Sequence, residues 1–115
     1  MSLTIYGIKN CDTMKKARAF LAEAGQDVVF HDYKQSGIDE VTLSGWVQTH
    51  GWETVLNRAG TTFRALPDED KADLDEAKAI RLMLANPSMI KRPVLVKPNG
   101  ESLVGFKPEA CRAFL

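Results

Sequence analysis

Cysteine is scarce in this chain, and what little there is excludes much. Two cysteines in 115 residues, Cys11 and Cys111, are too few and too far apart for a disulfide framework. A reducing cytoplasm is therefore the expected compartment. Met14 stands three places after Cys11, so there is no Cys-x-x-Cys pair. No stretch approaches the roughly 18 apolar residues that span a bilayer, and no membrane association is expected. The first residues lack a charged segment followed by an apolar one, so no secretory signal is expected. Neither charge sign is in excess: Lys+Arg and Asp+Glu are 15 each. That balance argues against direct nucleic-acid binding, which usually needs a basic surplus, though a local basic pocket remains compatible with it. Glycine-rich phosphate loops are absent. His31 and His50 have no cysteine or carboxylate cluster at ligand spacing, so neither a metal nor a bound cofactor is expected. The mixed surface fits a monomer.

What remains is enough for one ordinary domain, with 44% hydrophobic residues. Leu3 to Tyr6 reads as a strand and Gly7 to Asn10 as a turn. From Asp12 to Ala24, Met14, Ala17, Phe20, Leu21 and Ala24 recur at helical spacing, and Gly25 is a natural stop. Asp27 to Tyr33 reads as a second strand. A strand–helix–strand unit of this kind places its strands parallel. The middle is helical. Asp39 to His50 forms one helix, and Trp52 to about Arg58 adds a turn or two. Thr61 to Arg64 is ambiguous. Pro67 to Ala85 is the longest amphipathic run, with Leu74, Ala77, Ile80, Met83 and Leu84 as its buried face. Pro93 to Val96 and Ser102 to Phe106 flank the turn Pro98-Asn99-Gly100 and form a hairpin. A short helix from Pro108 to Leu115 ends the chain.

Cys11 is the residue that carries chemistry. It sits where the first strand hands over to the first helix. A sulfur there faces unpaired N–H groups at the positive end of the helix dipole, which favours thiolate. Lys9, Lys15 and Lys16 are close in sequence. Cys111 lies among expected core positions and reads as structural.

The order of elements resembles a thioredoxin-like fold: an α/β arrangement, βαβ…ββα, with a mixed four-stranded sheet. Three stretches are similar to the arsenate-reductase-like (ArsC) family, which includes glutaredoxin-linked arsenate reductases, Spx-type regulators and YffB-type proteins. They are Ile5 to Ala17, Val55 to Arg58, and Ile90 to Val96. The likeness spans essentially the whole chain. Gly7-Ile8-Lys9-Asn10-Cys11-Asp12-Thr13 resembles the YffB-type branch most. The resemblance implies a helical insertion at about residues 38–90, between the second and third strands.

It also implies roles. Cys11 would be the nucleophile and Arg92 its anion-binding partner, a guanidinium fork suited to a carboxylate or oxyanion. Pro93 would be cis and would leave backbone groups free to pair with an extended thiol peptide. Arg58 would match a second oxyanion-contacting arginine, against a plain reading as a helix-end cation. Lys107 stands nearest to where arsenate reductases carry a third arginine, and it keeps the charge without the fork. Lys9 and Asn10 would complete a substrate-binding rim. Those reductases also carry a histidine four residues before the cysteine, where this chain has Gly7. Both departures weaken an arsenate assignment.

The expected function is a thiol-dependent reductase acting through a mixed disulfide. Its second thiol must come from outside, and the resemblance points to glutathione as co-substrate or to a glutaredoxin-type donor. The alternatives are an arsenate reductase proper and a non-enzymatic Spx-like regulator of RNA polymerase.

Overall fold

The computed structural model describes residues 2–115. The chain divides into two compact units, one from residues 2–36 with 92–115 and one spanning Gly37–Lys91.

The first unit is built on a four-stranded sheet in the order β2-β1-β3-β4. Strand β1 is Leu3–Gly7 and β2 is Val28–Asp32. They run parallel, with Leu3 opposite Val28 and Gly7 opposite Asp32. Helix α1, Asp12–Glu23, connects them. Its buried residues Met14, Ala17 and Leu21 recur every three or four positions, so one stripe faces inward. Gly25 takes positive φ (74°) just past the helix, which only glycine adopts readily. Strands β3, Val94–Val96, and β4, Ser102–Val104, are both antiparallel to their neighbours. The hairpin turn closes with the Lys97 N–H donating to the Glu101 carbonyl at 2.8 Å, and Gly100 supplies its positive φ of 93°. The core gathers Leu3, Ile5, Met14, Ala17, Leu21, Leu95 and Cys111. The parallel pair, the hairpin and the mixed sheet are those expected from sequence.

The last strand stops at Val104 instead of Phe106 and the Trp52 helix at Val55 instead of about Arg58, and two further boundaries differ for reasons the side chains supply. Strand β2 stops at Asp32 instead of running through Tyr33. The buried Asp32 carboxylate accepts the Lys34 N–H at 2.9 Å. This side-chain turn bends the chain into a short helix, α2, Tyr33–Ser36.

The second unit is helical. Helix α3 is Glu40–His50, with Asp39 as N-cap accepting the Thr42 N–H. Helix α4 is Trp52–Val55, and the ambiguous segment forms α5, Thr61–Arg64. The second boundary lies here: the expected long helix from Pro67 to Ala85 is broken into α6, Asp68–Lys71, and α7, Glu76–Ala85. The break has a local cause. Asp73 has φ 53°, outside the helical region, and Asp75 caps α7 by accepting the Lys78 N–H at 2.8 Å. Aspartates compete for backbone donors in this way and favour caps over helix interiors. Lys78 also ties the two pieces together, donating through Nζ to the carbonyls of Glu69 and Ala72. The new phase buries Ala79 and Met83, leaves Leu74, Ile80 and Leu84 half-buried, and exposes Ala77. A 3₁₀ turn, Pro87–Met89, leads to a bridge between Leu56 and Ile90, with Lys91 donating to the Val55 carbonyl at 2.8 Å. The chain closes with α8, Pro108–Phe114, in the first unit. Among the described residues no helix is long and apolar enough to cross a membrane.

Candidate active site around Cys11

Strand direction brings the segments that carry Lys9, Asn10, Cys11, Arg92, Pro93 and Lys107, but not Arg58, to one end of the sheet. The parallel strands β1 and β2 both run out there, at Gly7 and Asp32. The antiparallel β3 begins there, with Val94 opposite Tyr6, and β4 ends there, with Val104 opposite Val94. The Cys11 loop follows β1, Tyr33 follows β2, Arg92-Pro93 precedes β3, and Phe106-Lys107 comes shortly after β4. The carboxyl ends of parallel strands are where α/β sheets commonly place their sites.

Cys11 is the N-cap residue of α1, half-buried, with extended backbone (φ −120°, ψ 129°). Its carbonyl accepts the Lys15 N–H at 3.0 Å, which starts the helix. Partial burial alone would push the thiol up. Donation from the Met14 N–H, the Arg92 guanidinium and the Thr13 N–H, together with the Arg92 charge, outweighs burial and holds it below the ordinary thiol range. Neither backbone N–H makes a capping bond of regular geometry with the sulfur. The stabilisation is instead shared among three donors.

Arg92 is half-buried, and the Arg92–Pro93 peptide is cis. Pro93 is buried and its carbonyl accepts the Gly105 N–H at 2.8 Å. Lys9 and Asn10 are exposed in the turn before Cys11. Lys107 is exposed and starts α8, its carbonyl accepting the Cys111 N–H at 2.9 Å. Arg58 belongs to the other unit. There its guanidinium lies 3.8 Å from the Glu53 carboxylate and 5.6 Å from the centre of the Trp52 ring. Cys111 is free, fully enclosed in the core, and burial pushes its thiol up against a smaller opposing effect of Arg112. It is a small core hydrophobe. Among the described residues no cluster of three His, Cys, Asp or Glu side chains is placed to hold a metal ion.

One residue at this end of the sheet carries no signal in the sequence. Tyr33 is 1% exposed, and its hydroxyl is enclosed without a hydrogen-bond partner among the described residues. Its ring centre lies 6.3 Å from Tyr6 and 6.2 Å from His31, which themselves meet at 4.6 Å with their planes tilted by 38°. Burial, and then Tyr6, push its phenol up, and the Arg92 charge only partly opposes them. Tyr6 and His31 face each other in the β1–β2 register. That pairing could be found only by aligning the two strands, and nothing local marks Tyr33.

The ArsC family model matches residues 6–114. A solved YffB protein is 63% identical, superposes with a TM-score of 0.93, and 97% of each chain is covered. A solved arsenate reductase (ArsC) related protein from Brucella melitensis is 56% identical with a TM-score of 0.77, covering 99% of this chain and 94% of that one. The global transcriptional regulator Spx of Streptococcus mutans is 31% identical over 117 residues, covering 98% of this chain and 82% of the regulator. With its mixed four-stranded sheet and a fold shared with these structures, the chain has the thioredoxin-like architecture and belongs to the ArsC family.

Proposed function

We propose that the protein is a thiol-dependent reductase that works through a mixed disulfide on Cys11, with glutathione or a glutaredoxin-type thiol as its partner. The observation that carries this reading is the half-buried Cys11 sulfur at the N-cap of α1, where the nearby Met14 and Thr13 N–H groups and the Arg92 guanidinium hold its thiol below the ordinary range. The thiolate is the nucleophilic form of cysteine.

In this scheme the Cys11 thiolate attacks one sulfur of a substrate disulfide. The S–S bond breaks, its electron pair leaves with the other sulfur as a thiolate, and Cys11 holds the mixed disulfide. A glutathione thiolate attacks the Cys11 sulfur of that bond and releases the second substrate thiolate, and a second glutathione thiolate attacks the glutathione sulfur now held on Cys11, giving glutathione disulfide and returning Cys11 as thiolate. The substrate gains two electrons and two thiols become one disulfide. An external thiol is required because Met14 occupies the usual resolving position and Cys111 is enclosed. Arg92 is suited to grip a carboxylate of the thiol peptide, with Lys9, Asn10 and Lys107 as an exposed polar rim. Arg58 already has Glu53 and Trp52 as partners, and the scheme does not need it.

Mass spectrometry after exposure to oxidised glutathione tests the reading. One glutathione adduct is expected on Cys11, absent in Cys11→Ser, together with fast iodoacetamide alkylation near pH 6.5. An alkylation rate equal to that of an ordinary thiol overturns it. Coupled turnover of arsenate, compared between wild type and Cys11→Ser, separates an arsenate reductase from a disulfide reductase. Gly7 and Lys107, in place of the family's histidine and arginine, weigh against arsenate. The Spx likeness supports a second reading, binding to RNA polymerase, which pull-down with polymerase subunits tests directly.

A further inference from the structure

Gly7 ends β1, and a side chain there has no room. A Cβ built on Gly7 would meet the Met14 side chain, with Cε at 2.6 Å, Cγ at 3.2 Å and Sδ closer still. Real Cβ atoms essentially never come within 3.0 Å of another heavy atom, so one of the two residues would have to yield.

Sδ and Cε are the far end of a flexible side chain and would shift cheaply in open space, but burial limits where Met14 can go. It is 1% exposed and packed in the cluster of Leu3, Ile5, Ala17, Leu21, Leu95 and Cys111. A thioether chain is adaptable, so a collision would not unfold the protein. It would instead push on the first turn of α1, because Met14 lies in that turn. The same residue offers its N–H to the Cys11 sulfur. Gly7 φ lies outside the positive region, so backbone freedom is not what glycine supplies here. It supplies space.

We propose that Gly7 and Met14 form a positioning pair, in which the Met14 thioether fills the place of the missing Cβ and fixes the first turn of α1 so that the Thr13 and Met14 N–H groups converge on Cys11. The inference rests on the reading of Cys11 as a reactive thiolate. It adds the residues that aim the donors, neither of which touches a substrate. It also assigns the residue at the would-be resolving position a purpose of its own. Met14 points into the core beneath the site and does not stand open beside the sulfur.

The pair makes an unusual prediction of sign. Gly7→Ala pushes the turn away, and Met14→Ala removes the anchor. Each alone should slow Cys11 alkylation at pH 6 by about three- to tenfold and move the midpoint of the pH profile upward, as expected for weakening one of several hydrogen bonds to a charged group. In the Gly7→Ala background, however, Met14→Ala relieves the collision and should speed alkylation. A purely structural role would lower the melting temperature and leave the pH midpoint unmoved. Should Gly7→Ala not fold, Met14→Ala and the double variant still give the comparison, with Met14→Leu expected to keep most of the wild-type rate. An unchanged midpoint in the single variants, or effects that simply multiply in the double, overturns the proposal. An ordinary midpoint in the wild-type protein would instead overturn the thiolate reading itself, so the two failures are distinct.

Discussion

The two units solve the same problem in opposite ways. Residues 2–36 and 92–115 pair strands distant in sequence around a buried cluster, and every group that converges on Cys11 comes from them. Residues 37–91 use no strand, only short helices and one isolated bridge. There the helix ends are satisfied by side chains: Asp39 and Asp75 accept backbone N–H groups, and Lys71 and Lys78 donate to the carbonyls of Arg64, Glu69 and Ala72. The contrast locates precision in the first unit. A sheet end held from several strands can aim groups at a single atom. Short capped helices give stability in small local pieces.

The largest expected effect breaks the first unit. Leu95→Ala removes a fully buried side chain from the central cluster and should cost about 2–5 kcal/mol in chemical denaturation. A loss below about 1 kcal/mol would mean the sheet does not depend on that cluster. Arg92→Ala comes next and separates aim from fold. It removes a guanidinium that both donates to the Cys11 sulfur and stabilises its charge. Alkylation near pH 6 should fall about tenfold, the size of one hydrogen bond to a charged group. The direction in pH follows from the lowered Cys11 thiol. Its ionisation favours folding fully above the unfolded thiol's range, and that contribution is lost as pH falls through the depressed folded value. In Arg92→Ala the folded value rises, so the contribution should be smaller and its loss complete at higher pH. Alkylation profiles and melting curves can both follow this.

The second unit should respond more mildly. Asp75→Ala removes the α7 cap and should cost about 1 kcal/mol, with no change in the Cys11 profile. A shift in that profile would show that the cap's effect is not local. The smallest effect has the opposite sign. Tyr33→Phe deletes a hydroxyl that is enclosed without a partner, so stability should stay level or rise by up to about 1 kcal/mol. A clear loss in a thermal melt would mean that the hydroxyl is satisfied in solution, for instance by a buried water.

Much of the first unit was legible because its signals are local. The spacing of Met14, Ala17 and Leu21, Gly25 after the helix and Pro98-Asn99-Gly100 in the hairpin each report on their own segment. The cis Arg92–Pro93 bond and the reach of Arg92 to Cys11 came from the resemblance, since nothing near Arg92 in sequence implies either. The second unit read less well. Periodicity over Pro67 to Ala85 is real, but Asp73 and Asp75 offer the backbone competing bonds, and a cap at Asp75 resets the helical phase onto Ala79 and Met83.

By itself the sequence determined that a lone thiol stands at a strand-to-helix junction, because turn residues and amphipathic spacing act within a few positions of each other. Only the tertiary structure decided what surrounds that thiol. The Met14 thioether beneath it on Gly7, Arg92 beside it and Tyr33 sealed at the same end of the sheet depend on strand order and register. Those are set by the burial of residues far apart in the chain, which local propensity does not encode.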